Sequence, residues 1–165
     1  MSDRNDGNIK NRLSHISDAG EPEMVDVSGK KETVRRATAS GKVIFPQEVF
    51  DELASADFTG KKGSIVQTAV IAGIQAVKKT ADLIPLCHPL PLSNIDIDIE
   101  PSAPALHIRC SVTCTGKTGV EMEALTGVSV SALTIYDMCK ALSHDIQISD
   151  VMLEQKSGGK TNFSR

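Results

Sequence analysis

Two neighbouring segments of the chain alternate strictly between apolar and polar residues, a pattern that is typical of strands with one buried face. The first is NIDIDIE (94–100) and the second is LHIRCSVTC (106–114). The apolar face of the second segment carries Leu106, Ile108, Cys110, Val112 and Cys114. PSAP between the segments predicts a short hairpin connection, so the two strands are expected to run antiparallel. An antiparallel sheet with one polar face leaves its other face to be covered by helices.

Helical patterns interleave with the predicted strands. One or two strands are expected between Met24 and Phe45, and a short helix is expected after Pro46, because proline is tolerated in a first turn. A second helix follows Ser64, a suitable N-cap, and contains Gly73, which costs about 1 kcal/mol relative to alanine. Close packing against another backbone would explain that cost. With a last strand in IQISDVMLEQK (146–156), the elements predict an α+β fold: a ferredoxin-like antiparallel sheet with helices packed on one face.

Composition excludes several classes of function. The net charge of −3 and the absence of Trp argue against a surface that binds nucleic acid. No apolar run reaches the length of a membrane span, and the polar N-terminus lacks the apolar segment of a signal peptide. We therefore expect a cytoplasmic protein with reduced cysteines. Residues 1–12 are expected to form a flexible leader, and residues 13–165 a single domain with a mobile basic tail from about residue 156.

A long helix is predicted from Val120 to Leu142. Thr118 and Glu121 have the spacing of a capping box at its start. Between Ala124 and Tyr136 the sequence carries no formal charge, so the helix is expected to be buried on more than one side, by the core or by a partner subunit. This pattern predicts a homo-oligomer whose interface uses the helix.

Asp137 and Lys140 follow the uncharged stretch and share a helical face, three residues apart. One interpretation is a structural ion pair at the helix end, where lysine is favoured by the helix dipole. The other is acid–base chemistry, because a desolvated lysine shifts its pKa readily. A nearby carboxylate would instead favour the protonated lysine.

Other residues with chemical potential are Cys87 and His88, held in the proline-rich loop PLCHPLPL, and Glu121 and Glu123 at the start of the long helix. The histidine is either a buried, hydrogen-bonded residue or a catalytic or ligand residue, since loops often carry function. Glu121 is explained by the capping box, whereas Glu123 has no such explanation beyond the helix dipole. The cysteines lack the spacing of a metal site, although a zinc hydrolase that uses Cys87 and His88 is one alternative.

Glycine and lysine occur together in GKKG (60–63), TGKTG (115–119) and SGGKT (157–161). A P-loop needs a glycine five residues before the Gly-Lys pair, and those positions hold Ser111 and Glu154, so the motif is absent. Backbone amides and ammonium groups on such loops still bind phosphate. Three such loops favour an anionic ligand over simple solvated turns, with Lys30, Arg35 and Arg36 as further candidates.

Four longer motifs together resemble one family. They are MVDVSGK (24–30), IAGIQAVKKTADLIPLCHPLPL (71–92), TGKTGVEMEALTGVSVSALTIYDMCKA (115–141) and KSGGK (156–160). The chain from about His15 to Lys160 is similar to the MoaC family, the cyclic pyranopterin monophosphate synthases of molybdenum cofactor biosynthesis. The resemblance implies that 3′,8-cyclo-7,8-dihydroguanosine 5′-triphosphate is rearranged to the cyclic pyranopterin monophosphate, with release of diphosphate. A competing reading is a non-catalytic nucleotide-binding regulator on the same fold.

The resemblance also implies roles for individual residues. Asp137 and Lys140 would be the catalytic pair. The residues expected at or around the substrate are Leu86, Cys87, His88, Met122, Glu123, Glu121, Lys62, Arg35, Lys156, Lys160, Asp26 and Lys30. No metal site and no tightly bound cofactor is implied, with Mg²⁺ as an optional companion of the triphosphate. The expected partners are this small molecule and further copies of the chain, in a hexamer built as a trimer of dimers with sites at the dimer interface, and neither nucleic acid nor membrane.

Overall fold

The computed structural model describes residues 15–17, 19–61 and 63–165. The helices are α1 (Gln47–Ser55), α2 (Ile65–Val77), α3 (Thr80–Leu83) and α4 (Glu121–Cys139). The strands are β1 (Thr33–Ile44), β2 (Thr59–Gly60), β3 (Gly63–Ser64), β4 (Leu92–Ser102), β5 (Ala105–Gly116), β6 (Gln147–Ser157) and β7 (Phe163–Ser164). Within these described ranges, no helix combines the length and the apolar character needed to cross a membrane.

One antiparallel sheet organises the fold. Its strand order is β4-β5-β1-β6-β7, while β2 and β3 form a separate hairpin. The four long strands lie in the order second, third, first and fourth. Helices α1 to α3 follow the first long strand and α4 follows the third, which is the ferredoxin-like arrangement. The predicted fold class is thus confirmed. The predicted hairpin is confirmed as well, because Ser102 of β4 pairs with Ala105 of β5.

The two faces of the sheet differ in chemistry. Odd-numbered residues of β1 and even-numbered residues of β5 point into the core, where Ala39, Leu106 and Cys110 are fully buried. The opposite face is polar: Thr38 faces Ser111 across the β1–β5 pair, and their hydroxyl groups hydrogen-bond at 2.9 Å. α4 covers the apolar face over β1, β5 and β6, and α2 contacts β4, so the helices lie on the face that the strict alternation along β4 and β5 predicts to be buried.

α2 packs directly against α4, and glycine makes the contact possible. A Cβ on Gly73 of α2 would collide with Oγ of Ser131 on α4 and would lie 2.6 Å from Cδ1 of Ile97 and 3.1 Å from the carbonyl oxygen of Gly127. The Ser131 hydroxyl also crosses between the helices, donating to the carbonyl oxygen of Ala69 at 3.1 Å. Close approach to another backbone therefore explains the mid-helix glycine, as the sequence indicated.

Several local predictions were less exact. The segment between Met24 and Phe45 contains one strand, β1. The prediction of a capping box formed by Thr118 and Glu121 is wrong. α4 begins at Glu121 with Val120 at the N-cap, and no side chain caps the helix. The predicted basic tail folds back along the sheet, since Phe163 of β7 pairs with Lys156 of β6. The mobility of that tail stays a prediction, and the predicted leader lies outside the described residues.

We expect Gly73→Ala to lower the stability of the protein even though alanine is the better helix former. The added methyl group would overpack the α2–α4 contact, which typically costs about 1–3 kcal/mol, against a propensity gain of about 1 kcal/mol. Thermal unfolding should show a net loss of roughly 1 kcal/mol. Gly29→Ala is the control, because a Cβ there meets no atom within 4 Å. A Gly73→Ala protein as stable as wild type would contradict the close-packing explanation.

Candidate active site

A cavity of about 320 Å³ lies where the proline-rich loop meets the first turn of α4. We call it the loop pocket. Its lining includes the predicted residues Leu86, Cys87, His88, Glu121, Met122 and Glu123, together with Lys30 and the unpredicted residues His15, Val25, Val27, Leu90, Thr118 and Gly119. Residues that are far apart in sequence therefore meet at one end of α4, as their joint prediction as substrate contacts requires.

Glu123 is the unusual group of the loop pocket because its side chain is buried, with 4% of its surface exposed. Burial raises the pKa of this carboxyl from 4.5 to about 6, and the charge of Glu121 adds to the effect. The backbone amide of Glu123 itself hydrogen-bonds the carboxylate and partly opposes the shift. A carboxyl with this pKa can accept or release a proton near neutral pH.

The four cysteines are free thiols. Cys110, Cys114 and Cys139 are buried in the core, as predicted for the first two, and burial raises the pKa of the Cys110 thiol to about 12 and that of Cys139 to about 11. Cys87 is partly exposed at the loop pocket, and burial again raises its pKa. The described part of the chain contains no group of three or more side chains suited to hold a metal ion.

A second cavity, of about 180 Å³, adjoins the loop pocket and is lined mainly by cations. We call it the basic pocket. The cationic side chains on its wall are Lys30, Arg35, Arg36, Lys117, Lys156 and Lys160. The loops TGKTG and SGGKT both contribute to it, so two of the three Gly-Lys loops converge as an anion site would require. The third, GKKG, supplies Gly60 and Gly63 to the β2–β3 hairpin, away from this wall.

The walls of the basic pocket are held by hydrogen bonds from its own cations. Arg35 donates from Nε to the carbonyl oxygen of Gly116 and from Nη2 to that of Lys117, both at 3.3 Å. Lys117 Nζ donates to the carbonyl oxygen of Ser28 at 2.8 Å. Gly158 adopts a φ of +84°, where a Cβ would collide with the carbonyl oxygen of Val34. These contacts fix three loops around one anion-sized space.

Glu121 stands between the two pockets and lines both. Lys156 Nζ of β6 donates to its Oε1 at 3.0 Å, and both side chains are about one-third exposed. The long-range contact with Lys156 explains why Glu121 does not reach back to cap its own helix. Sequence spacing suggested the local partner, whereas the fold supplies a distant one.

Asp137 and Lys140 form the predicted pair at the opposite end of α4. Lys140 Nζ and Asp137 Oδ1 lie 2.6 Å apart, and the side chains are 54% and 65% exposed. The hydrogen bond to Asp137 raises the pKa of Lys140, which favours the protonated ammonium. The expectation of a desolvated lysine is therefore wrong for a single chain, because the surface around the helix end is open to solvent.

The Asp137–Lys140 pair is remote from both pockets of its own chain. Fourteen residues of continuous α4 separate Glu123 from Asp137, and a rise of 1.5 Å per residue makes that distance roughly 21 Å. One small molecule cannot bridge this distance within a single subunit. The structure therefore brings most of the predicted substrate residues together and leaves the predicted catalytic pair apart from them.

Two predicted residues have other outcomes. Lys62 lies outside the described residues. Asp26 lines neither pocket; it accepts hydrogen bonds from the backbone amide and hydroxyl of Ser28, which lower its pKa. It thereby shapes the turn whose Ser28 carbonyl holds Lys117. Lys117 was missed as a site residue, although its position in TGKTG was a signal that sequence reasoning had already noted.

The raised pKa of Glu123 predicts a pH-dependent effect of Glu123→Gln. The folded protein binds more protons than the unfolded chain between pH 4.5 and about 6, so Glu123 lowers stability as pH rises through that window. At pH 8, Glu123→Gln should be the more stable protein by up to about 2 kcal/mol, and near pH 4 the gain should disappear. Thermal unfolding across this range is the measurement. Glu48→Gln is the control, because Glu48 is exposed. If the stability difference between Glu123→Gln and wild type did not change with pH, the raised pKa of Glu123 would be contradicted.

Comparison with known proteins gives a consistent result. The family model described as the MoaC family matches residues 24–159, which span β1 to β6 and all of α4. A cyclic pyranopterin monophosphate synthase of Xanthomonas oryzae pv. oryzae is 55% identical over 153 residues, which cover 92% of this chain and 93% of that protein. The cyclic pyranopterin monophosphate synthase of Campylobacter jejuni subsp. doylei is 50% identical over 152 residues, covering 91% and 96%. The chain belongs to the MoaC family.

Proposed function

We propose that this chain is a cyclic pyranopterin monophosphate synthase of molybdenum cofactor biosynthesis. It converts 3′,8-cyclo-7,8-dihydroguanosine 5′-triphosphate to the cyclic pyranopterin monophosphate and releases diphosphate. The observation that carries the proposal is the junction of a six-cation pocket with a second, less polar pocket that contains His88 and the buried Glu123. The names of relatives at 50–55% identity support the same activity. Nothing comparable favours the non-catalytic regulator.

The basic pocket suits the triphosphate end of that substrate. Charge-assisted hydrogen bonds from lysine and arginine are the strong contacts to phosphate oxygens. Arg35 keeps its geometry because backbone carbonyls hold two of its donors, while Lys160 follows the loop fixed by Gly158. Preorganised cations also stabilise the charge that develops as diphosphate departs.

The loop pocket suits the ring system of the substrate. Leu86, Leu90 and Met122 supply apolar surface, and Cys87 and His88 add polar atoms from a loop held rigid by prolines. Glu123 is placed to move a proton on the ring, because its pKa of about 6 leaves both protonation states accessible. Rearrangement of a purine to a pyranopterin needs proton transfers of this kind.

The complete site is proposed to form between two subunits. Asp137 and Lys140 lie roughly 21 Å from the pockets of their own chain, so a second copy must bring its own pair to the pockets. The outer surface of the helices supports such an interface: Ile71 of α2 and Leu133 of α4 are each 58% exposed, and the stretch from Ala124 to Tyr136 is uncharged. Burial under a partner would also desolvate Lys140, which the single chain does not do. The hexamer expected from the family, a trimer of dimers, is the assembly proposed.

No tightly bound cofactor is part of this proposal. Glu121 is the one carboxylate among the described residues that line the basic pocket, so the protein offers little to Mg²⁺, which prefers oxygen ligands and would be held by phosphate oxygens. Every step proposed here runs through protein side chains. The cytoplasmic location expected from the sequence belongs to the same proposal, and the free thiols are compatible with a reducing compartment.

Lys140→Ala and Asp137→Asn test the catalytic pair. Acid–base groups typically contribute about 10²–10⁴-fold to a rate, so each change should reduce diphosphate release from the cyclic triphosphate by that order. The melting temperature should stay near that of wild type, because the pair is exposed. Lys79→Ala is the control, an exposed lysine outside both pockets. A fully active Lys140→Ala enzyme would refute the assigned role.

Mixing two inactive variants tests the composite site. His88→Ala damages the loop pocket and Lys140→Ala damages the pair, so a heterodimer of the two keeps one intact site. Co-expression should restore activity to about a quarter of wild type if subunits pair at random around a two-fold axis. Light scattering should give a mass several times 17.6 kDa.

The control for this mixing experiment combines Asp137→Asn with Lys140→Ala, which lie on the same end of α4 and should stay inactive together. Persistent inactivity of the His88→Ala and Lys140→Ala mixture, in oligomers shown to contain both chains, would place the complete site within one subunit.

A further inference from the structure

The negative charge of Glu121 is unexpected at its position. It puts a negative charge on the wall of a pocket that otherwise carries six cationic side chains among the described residues. A carboxylate in that position weakens the attraction for phosphate, which is the ligand that the surrounding charges favour. Helix capping does not explain it, because the start of α4 has no side-chain cap. The position of Glu121 therefore needs another explanation.

The geometry of Glu121 is specific. Its Oε1 accepts a hydrogen bond from Lys156 Nζ at 3.0 Å. Its carboxyl group lies against Gly119, where a Cβ would approach Cδ of Glu121 to 2.6 Å. An alanine at 119 would therefore push the carboxylate away from its place. The absence of a side chain at this position is what admits the carboxylate to the pocket.

The Lys156–Glu121 ion pair is also accessible to anions from solution. The side chains of Lys156 and Glu121 are 34% and 28% exposed, so a solute anion can reach the ammonium without opening the core. Lys156 is anchored on β6 and lines the basic pocket together with Lys117. A phosphate group carries more negative charge than a carboxylate and has more acceptor oxygens. It can therefore replace Glu121 at Lys156.

We propose that Glu121 is an internal counter-anion of Lys156 that changes places with a phosphate of the substrate. In the unoccupied pocket it holds Lys156 in position and neutralises it. When the triphosphate binds, Lys156 turns to a phosphate oxygen, and when diphosphate has formed, the returning carboxylate competes with it and promotes its release. Glu121 is thus a positioning residue for Lys156, a role distinct from the substrate contact that the family resemblance implies. The inference rests on the proposed function, because it requires a phosphate ligand in the basic pocket.

Calorimetry with inorganic tripolyphosphate and diphosphate tests the exchange without any need for turnover. A phosphate that must first displace Glu121 binds with an affinity reduced by the fraction of free Lys156. A partly exposed ion pair of this kind corresponds to roughly a two- to fivefold factor. Glu121→Gln should therefore bind both probes about two- to fivefold more tightly than wild type. Glu48→Gln is the matched control, since Glu48 also lies in the first turn of a helix, is exposed and lines neither pocket.

A double-mutant cycle separates exchange at Lys156 from a general effect of charge. In the Lys156→Ala background, Glu121→Gln should no longer improve binding. An equal improvement with and without Lys156 would overturn the proposal in favour of a diffuse field effect. So would an unchanged or weaker affinity of Glu121→Gln in a protein that otherwise binds the probes.

The test also distinguishes this inference from the proposed function. If wild type bound neither probe, the phosphate-binding role of the basic pocket would fail, and the exchange would fail with it. If wild type bound both probes and Glu121→Gln did not differ from it, the exchange alone would fail. In turnover assays, added diphosphate should inhibit Glu121→Gln at two- to fivefold lower concentration than wild type, and equal inhibition would likewise overturn the proposal.

Discussion

The burial of α4 between the sheet and α2 fixes the positions of the side chains at the two ends of this helix. Val128, Ala132 and Ile135 along its inner side are fully buried, and the helix could not slide without opening cavities in the core. Its first turn is therefore fixed beside the ends of β5 and β6, where the two pockets form. Its last turn is fixed roughly 21 Å away, and the Asp137–Lys140 ion pair is fixed with it. A rigid helix of this length keeps the two pockets apart from the Asp137–Lys140 pair within one chain.

For the binding of an anion, the local distribution of charge matters more than the net charge of the chain. The chain carries a net charge of −3, yet six cationic side chains of the described residues line a cavity of about 180 Å³. Such a cavity focuses positive potential on one small volume. Arg35 donates two hydrogen bonds and Lys117 one to backbone carbonyl oxygens, so these residues hold the pocket wall in place as well as give it positive charge. The neighbouring loop pocket instead contains the buried carboxyl of Glu123, whose pKa is raised to about 6 by burial.

Sequence reasoning was most reliable where a local rule decided the outcome. Alternation placed β4 and β5 correctly, and Gly73 indicated the close helix contact. Sequence reasoning failed where a residue distant in sequence replaced the expected local partner. Glu121 has the spacing of a capping residue relative to Thr118, but it pairs with Lys156, thirty-five positions away. It also predicted a desolvated Lys140 from an uncharged helix, although the exposure of that residue depends on what covers the helix. Family resemblance grouped most of the pocket residues, whereas the anchoring of Lys117 on Ser28 became visible only in three dimensions.

The short strand β7 has a consequence for the behaviour of the protein in concentrated solution. Without it, β6 would present unpaired backbone groups along the border of the sheet, and such borders recruit strands from other molecules. Phe163 and Ser164 occupy part of that border, and the backbone amide of Arg165 extends the cover by donating to the carbonyl oxygen of Glu154 at 3.0 Å. The last few residues thus cover the end of β6 nearest the basic pocket and shorten the border that is open to another strand. A chain shortened before Asn162 would leave more of this border open to strands from other molecules.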